Sequence, residues 1–411
     1  METPLSIEVA KHILLTFGII LAVGSAVAVI AGKLRVPDVV AFLIAGLMLG
    51  PGVGHAIDIK TDSALNQLIL IFGSCYILFD GGASLRLKVL KEVWVTILIL
   101  ATAGVLITAG VTSVAAYYFL GVPFIIALLL ATTIASTDPA TLVPVFRQVK
   151  IKDRVAQTVM AESAFNDATG AIVTFAVLGL AMGQGEFSVG ASMLDLLKQA
   201  GFGLLVGGSL GYAAAVLISH QKYGFLQEYS PVVTLMTVIC AYLGADGLQA
   251  SGFMAVFVFG IVLGNKDVFG FVMENGEQEK MESFTAMTAL IMRMFIFILL
   301  GTQVDFELMN KYLFSGIAVV LVFMLVARPV TVFLCATPDR RVKWSLNELL
   351  FMSWTRETGV IPGALAGLLM GMNAPGAKVI ASVTFIAILM TILIQATTTR
   401  WLAGKLGLLE E

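Results

Sequence analysis

The chain has 411 residues, of which 58% are hydrophobic and 13% charged, about half the charged share of a soluble domain. Mean hydropathy is +0.96 and apolar runs recur from end to end, which excludes a soluble enzyme on one anchoring helix and leaves no room for a separate soluble domain. A formal charge of −2, with no basic block or aromatic-basic stripe, excludes a nucleic-acid partner.

The start, METPLSIEVAKH, carries glutamates before its first lysine, and no small-residue cleavage site follows the apolar run, so the first helix is expected to stay. Cutting at charged or Gly/Pro-rich breaks gives thirteen apolar segments, approximately 11–32, 37–54, 64–84, 92–120, 124–148, 153–182, 193–219, 229–246, 250–264, 282–303, 309–336, 346–372 and 378–404. One set of alternate loops holds 17 of the 25 Lys and Arg residues, and the other set with the N-terminal tail holds five. Positive charge gathers on the cytoplasmic side, so thirteen crossings are expected, with the N-terminus outside and the C-terminus inside a multi-pass cell-membrane protein. The remaining three, Arg293, Arg328 and Arg356, lie within apolar segments. Cys75, Cys240 and Cys335 sit in apolar runs with no CxxC pair and no histidine at ligand spacing, and are expected as core filler.

The fifth and twelfth segments carry matching interruptions, Thr137-Asp138-Pro139-Ala140-Thr141-Leu142-Val143-Pro144 and Thr355-Arg356-Glu357-Thr358-Gly359-Val360-Ile361-Pro362. They lie seven spans apart, an odd offset that sets the copies in opposite orientations: an inverted repeat of spans one to six as eight to thirteen, with the seventh as connector. Proline inside a span frees backbone groups that hydrocarbon tolerates only beside a cavity or within protein, so both breaks point to the substrate site. A single break could be an ordinary proline kink, but two matched breaks with opposite charges, Asp138 and Arg356, fit charge compensation of converging half-helix ends.

The sixth span buries Glu162-Ser163 and Asn166-Asp167 in one helix. A charge at bilayer depth costs about 2.5–3.5 kcal/mol on insertion scales, so each carboxylate is a functional candidate that needs a partner. The spacing places Glu162 with Asn166 on one stripe and Ser163 with Asp167 on the next, converging on a single face. Oxygen ligands suit a hard cation, and no histidine or thiolate suggests a transition metal or a resident cofactor. A proton and a cation competing for the one carboxylate of Asp167 is all that exchange requires. Elsewhere, Arg293 could line the ion path, form a structural salt bridge or snorkel toward an interface. Asp246 is assigned no role, and the polar stretch Asn265 to Glu282 is expected as a solvated loop. His12, His55 and His220 near the interfaces carry only a weak pH-sensor reading.

Thr137-Asp138-Pro139-Ala140, the run Glu162-Ser163 with Asn166-Asp167, and Ala327-Arg328-Pro329 resemble the monovalent cation:proton antiporters, specifically the NhaP/NHE-type branch with an Asn-Asp pair. Val36-Pro37-Asp38, Leu78-Phe79-Asp80-Gly81-Gly82 and Ser251-Gly252-Phe253-Met254-Ala255-Val256 extend the match over essentially the whole chain. The resemblance implies an all-α NhaA-like fold with two broken crossing helices and a homodimer. It also implies a moving core bundle of about 92–182 and 309–404, a dimerisation bundle of about 11–84 and 229–303, and a connector at 193–219. In site terms, Asp167 would bind cation and proton alternately, aided by Ser163, Thr137 and Asp138 beside Asn166, and Glu162 would pair with Arg328. Asp80 would face the ion from the cytoplasmic funnel or be a solvated helix-end carboxylate. One cation for one proton, hence electroneutral turnover, goes with the Asn-Asp pair. Many relatives carry an arginine at the position of Thr358, whereas here Arg356 stands two residues earlier, to take over that contact or pair locally with Glu357.

The leading expectation is therefore an antiporter, not an enzyme, moving Na+, with Li+ and K+ as alternatives, against H+ in a lipid bilayer. An ion-coupled organic solute transporter on the same fold is the runner-up, though a carboxylate cluster is a poor host for an anion. A passive channel usually builds rings around a symmetric pore, which inverted repeats do not favour. An intramembrane aspartyl protease is remote, because its Tyr-Asp and Gly-x-Gly-Asp motifs are absent.

Overall fold

The structure is a computed structural model that describes residues 5–34, 36–60, 63–137, 142, 145–146, 149–183, 189–219 and 224–410. The described residues form helices α1 Leu5–Leu34, α2 Asp38–Leu49, α3 Ala64–Ala83, α4 Leu87–Leu120, α5 Phe124–Ile134, α6 Asp153–Ala181 and α7 Val189–Ile218. These are followed by α8 Ser230–Gly247, α9 Gly252–Gly264, α10 Asn275–Thr302, α11 Leu313–Ala336, α12 Leu346–Trp354, α13 Val360–Gly371 and α14 Ala377–Lys405. Among the described residues nine helices are long and apolar enough to cross a membrane; α2, α5, α9 and α13 are shorter and apolar. Local chemistry sets the ends. Ser63 and Ser251 accept from Asn66 N and Met254 N, Ser345 and Glu348 form a capping box, and Gly121 closes α4 with a φ of 64°.

The twelfth segment is broken as its polar interruption suggests: α12 stops at Trp354, 355–359 are non-helical, and Pro362 falls in the first turn of α13, where its missing N–H costs nothing. In the fifth segment α5 ends at Ile134, and Asp138, Pro139, Ala140, Thr141, Val143 and Pro144 lie outside the described residues. Among the described residues three helices contain π-helical turns that the apolar pattern does not announce, Leu100–Gly104, Phe323–Ala327 and Thr391–Ala396. Pro329 follows the second of them, and a widened turn relieves the clash its ring makes with the preceding turn. The helices carrying the first two turns meet just beyond them, with Thr108 and Thr331 hydroxyls 2.8 Å apart.

Two glycine-mediated crossings display the repeat. Ala41, Gly46, Leu49 and Gly50 of α2 and its end recur as Ala255, Gly260, Leu263 and Gly264 of α9. A Cβ on Gly46 would strike the Ile298 carbonyl and Gly301 Cα on α10, while one on Gly260 would strike the Phe79 carbonyl and Gly82 Cα on α3. In return Gly301 abuts Leu43 O and Leu47 N, and Gly82 abuts Phe257 O and Ile261 N. The α2–α10 and α9–α3 contacts are thus one packing solution used twice, of the kind small residues provide where lipid supplies no hydrophobic drive.

One apolar cluster joins α4, α5, α6, α11, α13 and α14 through Ala116, Leu130, Val177, Phe323, Leu369 and Ile380. A larger one holds Phe42, Phe79, Phe257 and Phe297 of α2, α3, α9 and α10 and continues into α4, α6, α11, α12 and α14 at Ile97, Ala161, Val332, Phe351 and Ile392. Helix α7 lies along α9, where Gly207 and Gly211 admit Ala255 and Val262. Hydrogen bonds gather the Lys/Arg-rich loops on one face: Arg86 to Asp153 at 2.9 Å, Asn265 Nδ2 to Leu85 O at 2.7 Å, and Lys152 N to Leu408 O at 3.0 Å. On the opposite face Gln303 Nε2 donates to Asn66 Oδ1 at 2.7 Å and Ser251 N to Gln199 O at 3.3 Å.

Two expectations are corrected. Residues 265–282 are not a loop throughout, because α10 already begins at Asn275, with Glu277 in its first turn at the positive end of the helix dipole. Within that stretch Lys266 is buried. Cys240 is exposed on α8, unlike Cys75 and Cys335, since an apolar side chain facing lipid needs no core.

Candidate functional site

Helix α6 carries its polar residues in three directions rather than onto one face. At about 100° per residue, positions 162, 166, 163 and 167 fan over about 140° of the helix, so Glu162 and Asp167 point to different neighbours. Glu162 meets Arg328 of α11 through two hydrogen bonds, 2.5 Å to Oε1 and 2.8 Å to Oε2, with both side chains 1% exposed. Arg328 Nε donates to Met352 O at 3.0 Å, one of the last carbonyls of α12. The guanidinium therefore meets a carboxylate and the negative end of a half-helix together.

The second buried arginine does the same for the other break. Arg356, in the non-helical 355–359 segment, donates from Nη2 to the carbonyl of Ala135, the C-cap residue of α5, and lies 5.0 Å above the Phe323 ring. Each break thus carries an arginine on the terminal carbonyls of a half-helix, Arg328 on α12 and Arg356 on α5. Glu357 is fully buried, and Thr358 N donates to Thr391 Oγ1 at 3.0 Å.

The break after α5 is held by α6. Asn166 Oδ1 accepts from Thr137 N at 3.0 Å, Asn166 Nδ2 donates to Thr137 Oγ1 at 2.8 Å, and Thr137 Oγ1 donates to Ser163 Oγ at 2.9 Å. Helix interruption strands the backbone N–H of Thr137, and a carboxamide offers the acceptor for it and a donor for the hydroxyl in one side chain. Gly170 lets α6 approach this close, since a Cβ there would stand 3.0 Å from Ser136 Cβ. Asp138, expected as a ligand and as the charge opposite Arg356, lies outside the described residues.

Asp167, 2% exposed, lines a cavity of about 280 Å3. One wall is α6 and α13, with Ala171, Phe175, Val360, Ile361 and Ala364; the other is α3, α7, α8 and the start of α9, with Gln67, Ser74, Gln199, Tyr242, Asp246 and Ser251. Asp80 does not share it. It is buried at the other end of α3 and lines a separate cavity of about 370 Å3 with Ser84, Lys266, Asp267, Gln278 and Glu282. On α9 the stretch between the residues lining the two cavities carries Phe257, edge-on to Phe165 at 5.7 Å, and Phe259, stacked on Phe79 at 4.9 Å. Among the described residues no three His, Cys, Asp or Glu side chains converge as a metal cluster. Asp167, Ser163, Asn166 and Thr137 bring side-chain oxygens to this part of α6.

Of the readings offered for Arg293 the structural salt bridge is the one formed: it lies 3.3 Å from Asp38 on α2 and is not among the residues lining the Asp167 cavity, though the sequence did not name its partner. Two placements escaped the sequence reading. Arg154, counted there as a loop charge, holds Glu348 through Nε and Nη2 at 2.6 and 2.5 Å. Asp246, given no role, shares a cavity with Asp167; Tyr242 and Asp246 lie one turn apart on α8, but nothing in the sequence brings α8 to α6.

A bundle of apolar helices with two interrupted spans meeting beside a buried carboxylate defines a membrane transporter of the inverted-repeat kind. The family model described as sodium/hydrogen exchanger, transmembrane, matches residues 18–405, and the chain belongs to that family. Its relatives include Na(+)/H(+) antiporter 1 of Methanocaldococcus jannaschii, 32% identical over 419 residues and covering 95% of this chain and 94% of that one. Another is K(+)/H(+) antiporter NhaP of Alkalimonas amylolytica, 26% identical over 412 residues, covering 96% of this chain and 67% of that one. The fold is that of the sodium proton antiporter MjNhaP1 from M. jannaschii at pH 8, with a TM-score of 0.80 at 31% identity over 97% of this chain and 99% of that one.

Proposed function

We propose that the chain is a secondary antiporter exchanging Na+, with Li+ and K+ as alternative cargo, for H+ by alternating access. The observation that carries this is Asp167, a buried carboxylate lining a cavity next to a helix break that Asn166 and Ser163 hold open through Thr137. Either cargo compensates the carboxylate: a proton neutralises it, and a dehydrated cation pairs with it and with neighbouring oxygens. Asn166 stays neutral while clamping the break, so one charge is available per cycle and one cation leaves per proton, without net current. Asp138 joins the ligands in this reading, and Arg356 and Arg328 quieten the half-helix ends around them. A cavity whose charged lining groups are Asp167 and Asp246 suits a cation and repels an organic anion.

The chain crosses thirteen times, with the Lys/Arg-rich face in the cytoplasm. Two copies join through α1–α3 and α8–α10, while α4–α6 and α11–α14 move as a body and α7 connects them. The relatives named for Na+ and for K+ bracket the cargo.

The test is a pH-sensitive dye in everted or reconstituted vesicles with an imposed proton gradient. Addition of Na+, Li+ or K+ collapses the gradient in wild type and not in Asp167→Asn. Repeated at decreasing pH, the apparent KM rises up to about tenfold per pH unit once Asp167 is mostly protonated, as one competing proton requires. No response to any of the three cations over roughly pH 6 to 9, bracketing neutrality, would sink the reading.

A further inference from the structure

The cavity beside Asp167 contains a second carboxylate that the exchange chemistry does not use. Asp246 is exposed near the end of α8, one turn beyond Tyr242, and both line the cavity. Gln67, Gln199 and Ser251 join them on the α3–α7–α8–α9 wall, and Asp167 is the charged group on the opposite wall. No Lys, Arg or His belongs to the described residues lining this cavity, so its fixed charge is negative throughout. The cavity at the other end of α3 differs, since Lys266 stands there among Asp80, Asp267 and Glu282. A recess walled by helix and lipid focuses the field of a charge at its rim toward its floor and raises the local concentration of counter-ions.

We propose that Asp246 is the cation-collecting group of this entrance: it draws small monovalent cations from solution on the face away from the Lys/Arg-rich loops and hands them to Asp167. The inference rests on the antiporter reading and adds a specificity-determining residue to it. Asp246 acts at a distance, through the potential along the cavity, and takes no part in the proton–cation competition. Its contribution is therefore screened by salt, unlike that of the buried ligand. It acts on cations arriving from one face only.

The test compares wild type, Asp246→Asn and Asp246→Glu in right-side-out and everted vesicles, with Na+ added to one face at a time at low and high choline chloride. Asp246→Asn is expected to raise the KM for Na+ about three- to tenfold at the Asp246 face at low ionic strength, with kcat changed less than about twofold. Added choline chloride closes the gap, Asp246→Glu keeps the wild-type KM, and the KM at the opposite face does not move. An unchanged KM for Asp246→Asn in vesicles where wild type exchanges overturns the proposal alone. So does a rise that is equal at both faces or indifferent to salt, which marks a structural effect. Wild type inert to every cation overturns the exchange reading, and this inference falls with it.

Discussion

At the scale of the residue, the buried charges divide the labour. Glu162 and Arg328 satisfy each other and the end of α12, and Asp167 faces the cavity. Removing one member of such a pair strands the other in low dielectric at a cost of about 3–5 kcal/mol, whereas replacing both by apolar groups of similar volume is far milder. Arg328→Met is therefore expected to lower the melting temperature in detergent sharply, and the double variant Glu162→Leu/Arg328→Met to recover much of it. A double variant no more stable than the single one would mean the pair is not the buried unit described. Asn166 makes a different point. Its value is a neutral side chain with both a donor and an acceptor, which neither aspartate nor leucine supplies at Thr137.

At the scale of the element, the two glycine crossings are the clearest mark of the repeat. Gly46→Ala and Gly260→Ala each push a methyl into a facing backbone carbonyl, and two backbones cannot yield as a side chain can. Both are expected to lower yield and melting temperature in detergent, while Gly18→Ala, which meets nothing within 4 Å, leaves them unchanged. Equal behaviour of all three would remove the crossings from the stabilising contacts. This repeat was partly legible beforehand: the breaks at Thr137 and Thr355 announce it, and the match of Ala41 to Gly50 with Ala255 to Gly264 was there to be read. Helices α4, α11 and α14 could be placed from their apolar runs, but their π turns depend on a few local hydrogen bonds that periodicity does not encode. Pairings such as Arg154 with Glu348, or Asp167 with Asp246 in one cavity, join residues far apart in the chain and needed the packed helices to appear.

At the scale of the whole molecule, Asp167 and Asp80 line separate cavities at opposite ends of α3, with Phe257 and Phe259 on the α9 stretch between their linings. Phe165 of α6 touches Phe257 of α9 across the line between the two proposed bundles. If exchange moves one bundle against the other, joining these positions stops it. Phe165→Cys/Phe257→Cys, with Cys75, Cys240 and Cys335 first replaced, is expected to lose exchange on bifunctional thiol cross-linking and regain it on reduction. Full activity in a quantitatively cross-linked sample would rule out relative movement there. Another attachment concerns the chain's last described residues. Leu408 is buried, Ile151 bridges to Leu409, and Glu410 N donates to Lys150 O at 2.8 Å, fastening this end of the chain to the segment that feeds α6. A dye carried at Glu410 consequently rides with the ion-binding helix and gives an optical handle on its excursions, with no label placed inside the bilayer.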